Sequence, residues 1–282
     1  MRAFAIALTS LLVTAGVYAA EQGSFERSLT VSGPVDLDVQ TDSGGITITT
    51  GASGTVRVHA ILKGQQGWFG SGDVASRIRE LERNPPVEQT GNRVRIGYVH
   101  DRDLLKGVSM RLEIETPPDS QVRARADSGG IRVDNVRGPV DCKTDSGGIE
   151  IHNVGSETRA DADSGSIHLS NIKGPVSAHV DSGGIEAVDV SGSIEAKADS
   201  GGIRLVQTSA APIHASADSG GVHVRLAPGA GYDLSLETES GNISVPEMTI
   251  KSGFSKHHVE GKVHNGGPLV SVRVDSGGVT VE

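Results

Sequence analysis

Hydrophobic positions recur along this chain with a two-residue period that is interrupted at regular intervals. Ile131 and Val133 alternate with polar residues, and the same pair of apolar positions returns at Ile149 and Ile151, 18 residues later. Such alternation predicts short β-strands, and the interruptions predict corners. The interval leaves no room for a crossover helix. Equivalent strands are therefore expected to stack in parallel from one turn of the chain to the next.

The strands are punctuated by the phrase Asp-Ser-Gly-Gly-Ile. Copies or close variants begin at Asp42, Asp127, Asp145, Asp163, Asp181, Asp199, Asp218, Glu239 and Asp275. From Asp127 to Asp199 each step is 18 residues. This period predicts an all-β fold, a right-handed parallel β-helix or β-solenoid with about 18 residues per coil and two or three strands in each coil.

When the repeats are aligned, the positions expected to face the core and those expected to face solvent fall into separate columns. One column holds only small residues, which are Cys142, Ala160, Ala178, Ala196 and Ala215. Because this column faces isoleucine and valine columns, opposite sheets are expected to approach closely around a thin core. Cys142 is interpreted as a small buried hydrophobe rather than a nucleophile.

The corners are predicted from glycine and asparagine. The glycine pairs of the repeated phrase tolerate a positive φ. A second corner carries a column of equivalent polar side chains, namely Asn135, Asn153, Asn171 and Asp189. We expect these side chains to form a ladder between coils that lie about 4.8 Å apart.

The chain divides into a leader and one domain. Residues 1–20 have a charged start at Arg2, an apolar stretch and a small-residue cleavage site, which predicts a secretory signal peptide. Residues 21–282 are predicted to form a single β-solenoid domain. It comprises a helix-containing insertion at about 64–92, regular coils at about 122–226 and irregular C-terminal coils at 227–282. Val270 to Val281 would supply the closing coil, after an irregular stretch from His257 to Gly267.

One segment departs from strand periodicity. Between Asp73 and Arg83 the apolar residues Val74, Ile78 and Leu81 share one face of a predicted amphipathic helix, with Ser71 and Asp73 as capping candidates. We expect this helix to shield edge strands.

The loop before this helix holds Trp68, the only tryptophan, next to Phe69. This pair is the alternative, partner-binding candidate of the insertion.

Composition restricts the function classes. The net charge is −9 without a basic stripe, which argues against a nucleic-acid partner. Aromatic residues make up 3% of the chain, which argues mildly against a groove that grips sugars by stacking. After residue 20 no apolar run approaches the roughly 20 residues that span a bilayer. The mature chain is expected to be exported, as a periplasmic, cell-surface or secreted protein.

The aspartates of the repeated phrase are the main chemical candidates. The residues concerned are Asp127, Asp145, Asp163, Asp181, Asp199 and Asp218. Stacked carboxylates repel each other. Either each carboxylate accepts hydrogen bonds from the amides of the following Ser-Gly-Gly turn, or a row of Ca²⁺ ions binds the carboxylates. Calcium needs six to eight oxygens, which favours the turn amides. No cofactor and no catalytic residue are predicted.

With its leader, its inserted helix and its serial Asp-Ser-Gly-Gly-Ile coils, from Asp42 to Asp275, the chain resembles a bacterial family of candidate adhesins built from β-strand repeats. The family is a domain of unknown function. The resemblance implies an exported β-solenoid with an adhesive or cell-envelope role, and it brings no catalytic residues with it.

Three classes of function follow. The leading interpretation is a non-enzymatic adhesin or envelope scaffold whose protein or cell-surface ligand is not identified. A regulatory envelope protein that binds its partner through the Trp68 loop is the second. A polysaccharide-processing enzyme is the third, since Arg159, Asp161, His179 and Lys197 form a faint cluster of acids and bases.

Overall fold

The structure is a computed structural model that describes residues 22–64, 73–245 and 249–282. The predicted signal peptide, Ser71 and the pair Trp68 and Phe69 lie outside the described residues. Within them, no helix is long and apolar enough to cross a bilayer. Strands dominate the described secondary structure.

The N-terminal part of the chain forms irregular coils around one helix. Its elements are β1 (Gln22–Thr30), β2 (Asp36–Ser43), β3 (Ile46–Thr50), β4 (Thr55–Gly64), α1 (Val74–Arg83), β5 (Val87–Thr90), β6 (Arg93–Ile96), a 3-10 turn (Arg102–Leu105) and β7 (Val108–Thr116).

The regular repeats contribute two strands per coil. They are β8 (Gln121–Ser128), β9 (Ile131–Asp134), β10 (Val140–Ser146), β11 (Ile149–Val154), β12 (Thr158–Ser164), β13 (Ile167–Ile172), β14 (Val176–Ser182), β15 (Ile185–Val190), β16 (Ile194–Ser200), β17 (Ile203–Gln207), β18 (Ile213–Ser219) and β19 (Val222–Arg225). The C-terminal part adds β20 (Tyr232–Ser240), β21 (Ile243–Ser244), β22 (Thr249–Phe254), β23 (His258–Val263), β24 (Leu269–Ser276) and β25 (Val279–Val281).

These strands form two sheets that face each other. The first sheet has the order β1-β4-β7-β3-β9-β11-β13-β15-β17-β19-β25-β21, and the second has the order β22-β23-β20-β24-β18-β16-β14-β12-β10-β8-β2-β6-β5. Neighbouring repeats pair in parallel with equivalent residues aligned, as Ile149 with Ile167 and Cys142 with Ala160. The predicted all-β solenoid is confirmed, and of the two or three strands considered per coil the structure has two.

The core is asymmetric between the two sheets. The first sheet contributes large side chains such as Ile149 and Ile167, while the second contributes the small column of Cys142 and the alanines, all buried. A further buried column of mostly small residues on the second sheet was not identified from the sequence: Ala126, Thr144, Ala162, Val180, Ala198 and Ala217. The two small columns allow the sheets to approach closely.

The corner at each repeated phrase requires glycine at its first glycine position, because there is no room for a side chain there. Gly147 has φ of +151°, and a Cβ there would lie 2.3 Å from the carbonyl oxygen of Gly129 in the preceding coil. The amide of Gly147 in turn donates to the carbonyl of Ser164 in the following coil, at 2.9 Å. The first glycine of the phrase is therefore required both by its conformation and by the close stacking of coils.

The opposite corner carries the predicted polar ladder. Asn135, Asn153 and Asn171 have φ of 65°, 58° and 53°, a region that asparagine tolerates better than most residues. Asn153 Nδ2 donates to Asn135 Oδ1 at 2.9 Å, and Asn171 Nδ2 donates to Asn153 Oδ1 at 2.8 Å. The ladder is thus confirmed for the three asparagines. Asp189 has a similar φ of 57° but makes no ladder hydrogen bond among the described residues.

The coils at both ends do not stack in the order of the sequence. The β2/β3 coil lies between β6/β7 on one side and β8/β9 on the other. The last coil, β24/β25, lies between β18/β19 and β20/β21. The prediction that Val270 to Val281 closes the stack is wrong, because β20/β21 is stacked outside it.

The stretch from His257 to Gly267, predicted as irregular, also contains a strand. In this stretch β23 pairs antiparallel with β20 and extends the second sheet beyond the coils. Local alternation in this segment is too short to separate a strand from a loop.

The predicted helix is present as α1. Its residues Ala75, Ile78 and Leu81 are buried against the end of the first sheet. Asp73 is the N-cap residue, but its side chain forms an ion pair with Arg77 instead of capping the helix.

The edge strand β1 is partly covered by side chains. Glu82 of α1 accepts the amide of Ser24 at 2.9 Å, and Gln89 donates to the carbonyl of Thr30 at 2.7 Å. These contacts agree with the shielding role expected for the inserted helix. Unpaired backbone groups at an open edge strand can otherwise pair with another chain.

The thin core gives a first prediction. Ala178→Leu places a larger side chain between the sheets and should destabilise the fold by about 1–3 kcal/mol. His179→Leu changes a partly exposed position of the same strand and should cost much less. Urea unfolding of both variants measures the difference, and a larger loss for His179→Leu would contradict the assignment of inward and outward columns.

The placement of the last coil gives a second prediction. Removing residues 268–282 leaves β18/β19 and β20/β21 without the strands between them, so the truncated protein should melt at a clearly lower temperature. A synthetic peptide of residues 268–282 should restore the melting temperature in proportion to its concentration. A scrambled peptide is the control. An unchanged melting temperature after truncation would show that the final coil is dispensable.

Candidate functional site

The aspartates of the repeated phrase form one column along the second sheet. Each is the penultimate residue of its strand, with Ser and the corner glycine following, from Asp127 in β8 to Asp218 in β18. The column is extended by Asp42 in β2, by Asp275 in β24 and by Glu239 in β20. The side chains of Asp163 and Asp181 are about half exposed, at 51% and 54%. The result is an acidic band that follows the axis of the stack.

The neighbouring column, two residues earlier on the same strands, is mixed: it holds Lys143 and Lys197 but also Asp161 and His179. Lys143 Nζ is 2.9 Å from Asp161 Oδ1 and 3.9 Å from Asp163 Oδ1. Lys197 Nζ is 3.2 Å from Asp199 Oδ1, and this carboxylate together with Asp218 and Asp181 raises the pKa of Lys197. The neighbouring column thus offsets part of the repulsion among the aspartates.

The turn amides do not have the role expected from the sequence. The amides of Gly129, Gly147 and Gly165 donate to the serine carbonyls of the next coil, at 2.8 to 2.9 Å. Among the described residues, the aspartates from Asp127 to Asp218 accept no hydrogen bond from the Ser-Gly-Gly amides. The prediction that these amides satisfy the carboxylates is wrong, because the amide of the first glycine is used to join the coils.

Charge compensation is weakest near the start of the band. Desolvation raises the pKa of Asp127, and repulsion from Asp42 and Asp145 raises it further, while Arg102 opposes these effects. The ionised carboxylate of Asp127 is therefore held in an unfavourable position at neutral pH.

Metal binding by the band has no support from side-chain clustering. Within residues 22–64, 73–245 and 249–282, no three His, Cys, Asp or Glu side chains come together in an arrangement that could hold a metal ion. One carboxylate per coil supplies too few oxygens for calcium, which needs six to eight.

The predicted cluster of acids and bases lies on one face of the second sheet, with Arg159 on the strand of Asp161. Asp161, His179 and Lys197 do lie side by side on neighbouring strands of the second sheet. Each, however, pairs with another residue: Asp161 with Lys143, His179 with Asp181 at 3.1 Å, and Lys197 with Asp199. These contacts describe an ion-pair network on an exposed face rather than an acid and a base converging on a substrate.

The thiol of the single cysteine is also unsuited to catalysis. Cys142 is completely buried, and this burial raises the pKa of its thiol well above the ordinary range. A thiol that stays protonated and inaccessible is neither a nucleophile nor a metal ligand. The interpretation of Cys142 as a core residue agrees with this environment.

A pocket at the N-terminal end of the second sheet was missed by the sequence analysis. This Tyr98 pocket has a volume of about 160 Å³ and includes Gln40, Asp42, Arg95, Tyr98, His100 and Arg102 in its lining. Gln40 and Asp42 belong to β2, Arg95 belongs to β6, and the remaining residues come from the connection after β6. The only sequence signal was Gly97-Tyr98 in a segment that breaks the repeat.

Gly97 allows this connection to pass close to β2. Its φ is +87°, and a Cβ at this position would lie 1.8 Å from the carbonyl oxygen of Gln40. Tyr98 follows directly. Its hydroxyl donates to Asp38 Oδ1 at 2.8 Å, and the guanidinium carbon of Arg95 lies 3.9 Å from its ring centre. Burial and the Asp38 carboxylate raise the pKa of Tyr98, so the hydroxyl stays neutral and the ring is held in place.

Fold and site together define a two-sheet β-solenoid with a repeated acidic band and, at its N-terminal end, the irregular Tyr98 pocket. Residues 36–282 match the family described as Toastrack DUF4097, and the chain belongs to this family. The resemblance recognised in the repeats is thereby confirmed. No curated protein matches the chain.

Solved structures that resemble the chain include a candidate cell adhesion protein from Clostridium sporogenes. It is 10% identical with a TM-score of 0.29, over 92% of this chain and 99% of that one. A candidate adhesin from Bacteroides fragilis is 13% identical with a TM-score of 0.36, over 92% and 97%. One from Parabacteroides distasonis is 9% identical with a TM-score of 0.28, over 92% and 97%. At these sequence identities and TM-scores, no ligand or function of these proteins is inferred for this chain.

The raised pKa of Asp127 gives a third prediction. A carboxyl group whose pKa is higher in the folded state destabilises the fold once the pH rises above its ordinary pKa of 3.8. Asp127→Asn should therefore raise the melting temperature at pH 7, and the gain should vanish well below pH 3.8. Asp199→Asn is the control, because Asp199 is paired with Lys197 and its loss should bring no gain. Equal effects of the two substitutions, measured by thermal melts across this pH range, would contradict the explanation.

Proposed function

We propose that this chain is an exported, non-enzymatic binding protein that attaches to a surface ligand through the outer face of its second sheet. The observation that carries the proposal is the repetition of the aspartate column in coil after coil. The Asp column and the basic residues beside it, such as Lys143 and Lys197, run along the stack of parallel strands.

Repetition favours adhesion over catalysis. A catalytic centre brings different groups to one point, whereas this face offers similar groups at a spacing of about 4.8 Å per coil. A ligand with its own repeat can contact several coils at once. Weak contacts to single coils then add to a firm attachment through multivalency.

The exposed charges of this face also favour a polar ligand. The side chains of Lys143, Asp163 and Asp181 are about half exposed, at 49%, 51% and 54%. Exposed charges of this kind are screened by salt, so attachment through them should weaken as the ionic strength rises. The predicted signal peptide supports export, to the periplasm, to the cell surface or to the medium.

The fourth prediction concerns the length of the repeated face. Deleting Asp145 to Val180 removes two coils and joins Thr144 to Asp181 with the register kept. The variant should fold, because each remaining strand finds an equivalent neighbour, and its attachment to cells or extracellular matrix should fall several-fold. Quantitative surface binding at two salt concentrations measures the effect.

Trp68→Ala is the matched variant for the regulatory alternative. Under the proposal it leaves attachment nearly unchanged. If Trp68→Ala abolishes attachment while the coil deletion does not, the repeats act only as a spacer, and the inserted loop is the binding part.

A further inference from the structure

We propose that the Tyr98 pocket is a binding site for a carboxylated sugar ring, such as a uronic acid residue at the end of a polysaccharide. The site lies at the N-terminal end of the repeated face, where it shares Asp42 with the acidic band, and its binding does not depend on the multivalent attachment proposed above. The chemistry of its lining, taken group by group, points to this class of ligand.

Hydrogen bonds fix the chain segments that form the pocket. Gly97 brings the connection after β6 against β2, and its amide donates to the carbonyl of Pro86 at 2.8 Å. Further along the connection, Arg77 of α1 donates to the carbonyl of Lys106 at 2.6 Å, and Asp101 accepts the amide of Asp103 at 3.0 Å. Both ends of the connection are therefore tied to the solenoid or to the helix, and the cavity is part of the fold.

Two guanidinium groups supply positive charge. The Arg95 side chain is 41% exposed and has Glu88 at 3.2 Å, while the Arg102 side chain is 70% exposed and has Asp42 only at 3.9 Å. At that distance Arg102 forms no hydrogen bond with Asp42, and its donors have no other hydrogen-bond partner within the described part of the chain. Guanidinium groups bind carboxylates through paired hydrogen bonds, which accounts for the carboxylate of the proposed ligand.

Other groups of the pocket favour hydroxyl groups over a simple anion. The Asp42 carboxylate would repel a small anion placed deep in the cavity, but it accepts hydrogen bonds from hydroxyls. The side-chain amide of Gln40, which can both donate and accept, has no hydrogen-bond partner within the described part of the chain. A ring that carries both a carboxylate and hydroxyls satisfies these groups together.

The remaining wall is apolar and of suitable size. Tyr98, Val99 and Leu105 line it and offer apolar surface to the C–H groups of a sugar ring. The volume of about 160 Å³ equals the space of about five water molecules in the liquid, enough for one ring or a large part of it. The low overall aromatic content of 3% therefore does not exclude a single sugar site.

Ligand-observed NMR and calorimetry with D-glucuronate, D-glucose and acetate as separate probes test the site on the whole protein. We expect glucuronate to bind at least about tenfold more tightly than glucose or acetate, because only glucuronate uses both the guanidinium and the hydroxyl-binding groups. Equal binding of glucose or acetate would overturn the proposal. So would the lack of any glucuronate binding at about 10 mM, the weak end of small-ligand affinity.

Matched arginine variants show where the probe binds. Arg102→Gln should weaken glucuronate binding about tenfold, which is the loss of one charge-assisted hydrogen bond. Arg159→Gln is the control, since the Arg159 side chain is 64% exposed on the same sheet but is paired with Glu157 far along the stack. Circular dichroism confirms that both variants fold. Equal weakening by both substitutions would show non-specific charge attraction and overturn the site.

Discussion

The close approach of successive glycine corners is the constraint on which the rest of this structure depends. Each first glycine of the Asp-Ser-Gly-Gly phrase passes so near the carbonyl of the preceding corner that a Cβ at Gly147 or Gly183 would lie 2.3 Å or 2.0 Å from it. The same corners are joined by amide-to-carbonyl hydrogen bonds such as Gly147 to Ser164. Since these contacts occur once per coil, they set both the spacing and the register of the two sheets.

Because the coils stack in equal register, equivalent residues of successive coils lie above one another. This stacking stabilises the fold for some side chains and destabilises it for others. Small side chains such as Ala178 and Ala196 stack into a column that lets the sheets approach, and Asn135 and Asn153 join in a hydrogen-bonded ladder. The same alignment stacks carboxylates, which repel. Basic residues in the adjoining column offset this repulsion in the middle of the stack, whereas Asp127, between Asp42 and Asp145, is compensated least.

The ends of the stack are where the molecule departs from repetition, and its irregular features collect there. At the N-terminal end α1 packs beside the edge strand β1, and the Tyr98 pocket forms between β2 and the connection after β6. At the C-terminal end the antiparallel strands β22 and β23 extend the second sheet. The repeated face proposed for adhesion and the pocket proposed for a sugar ring thus belong to different parts of the same stack.

The sequence by itself determined the features that depend on local pattern and period. Alternation and the 18-residue step predicted the solenoid and its inward columns, the asparagine positions predicted the ladder, and the apolar spacing between Asp73 and Arg83 predicted the helix. Only the tertiary structure decided the order of the end coils and the pocket. All coils present the same backbone edge and similar inward residues, so nothing local selects which coils pair. Tyr98 and Asp38, 60 residues apart, meet only because β6 stacks on β2.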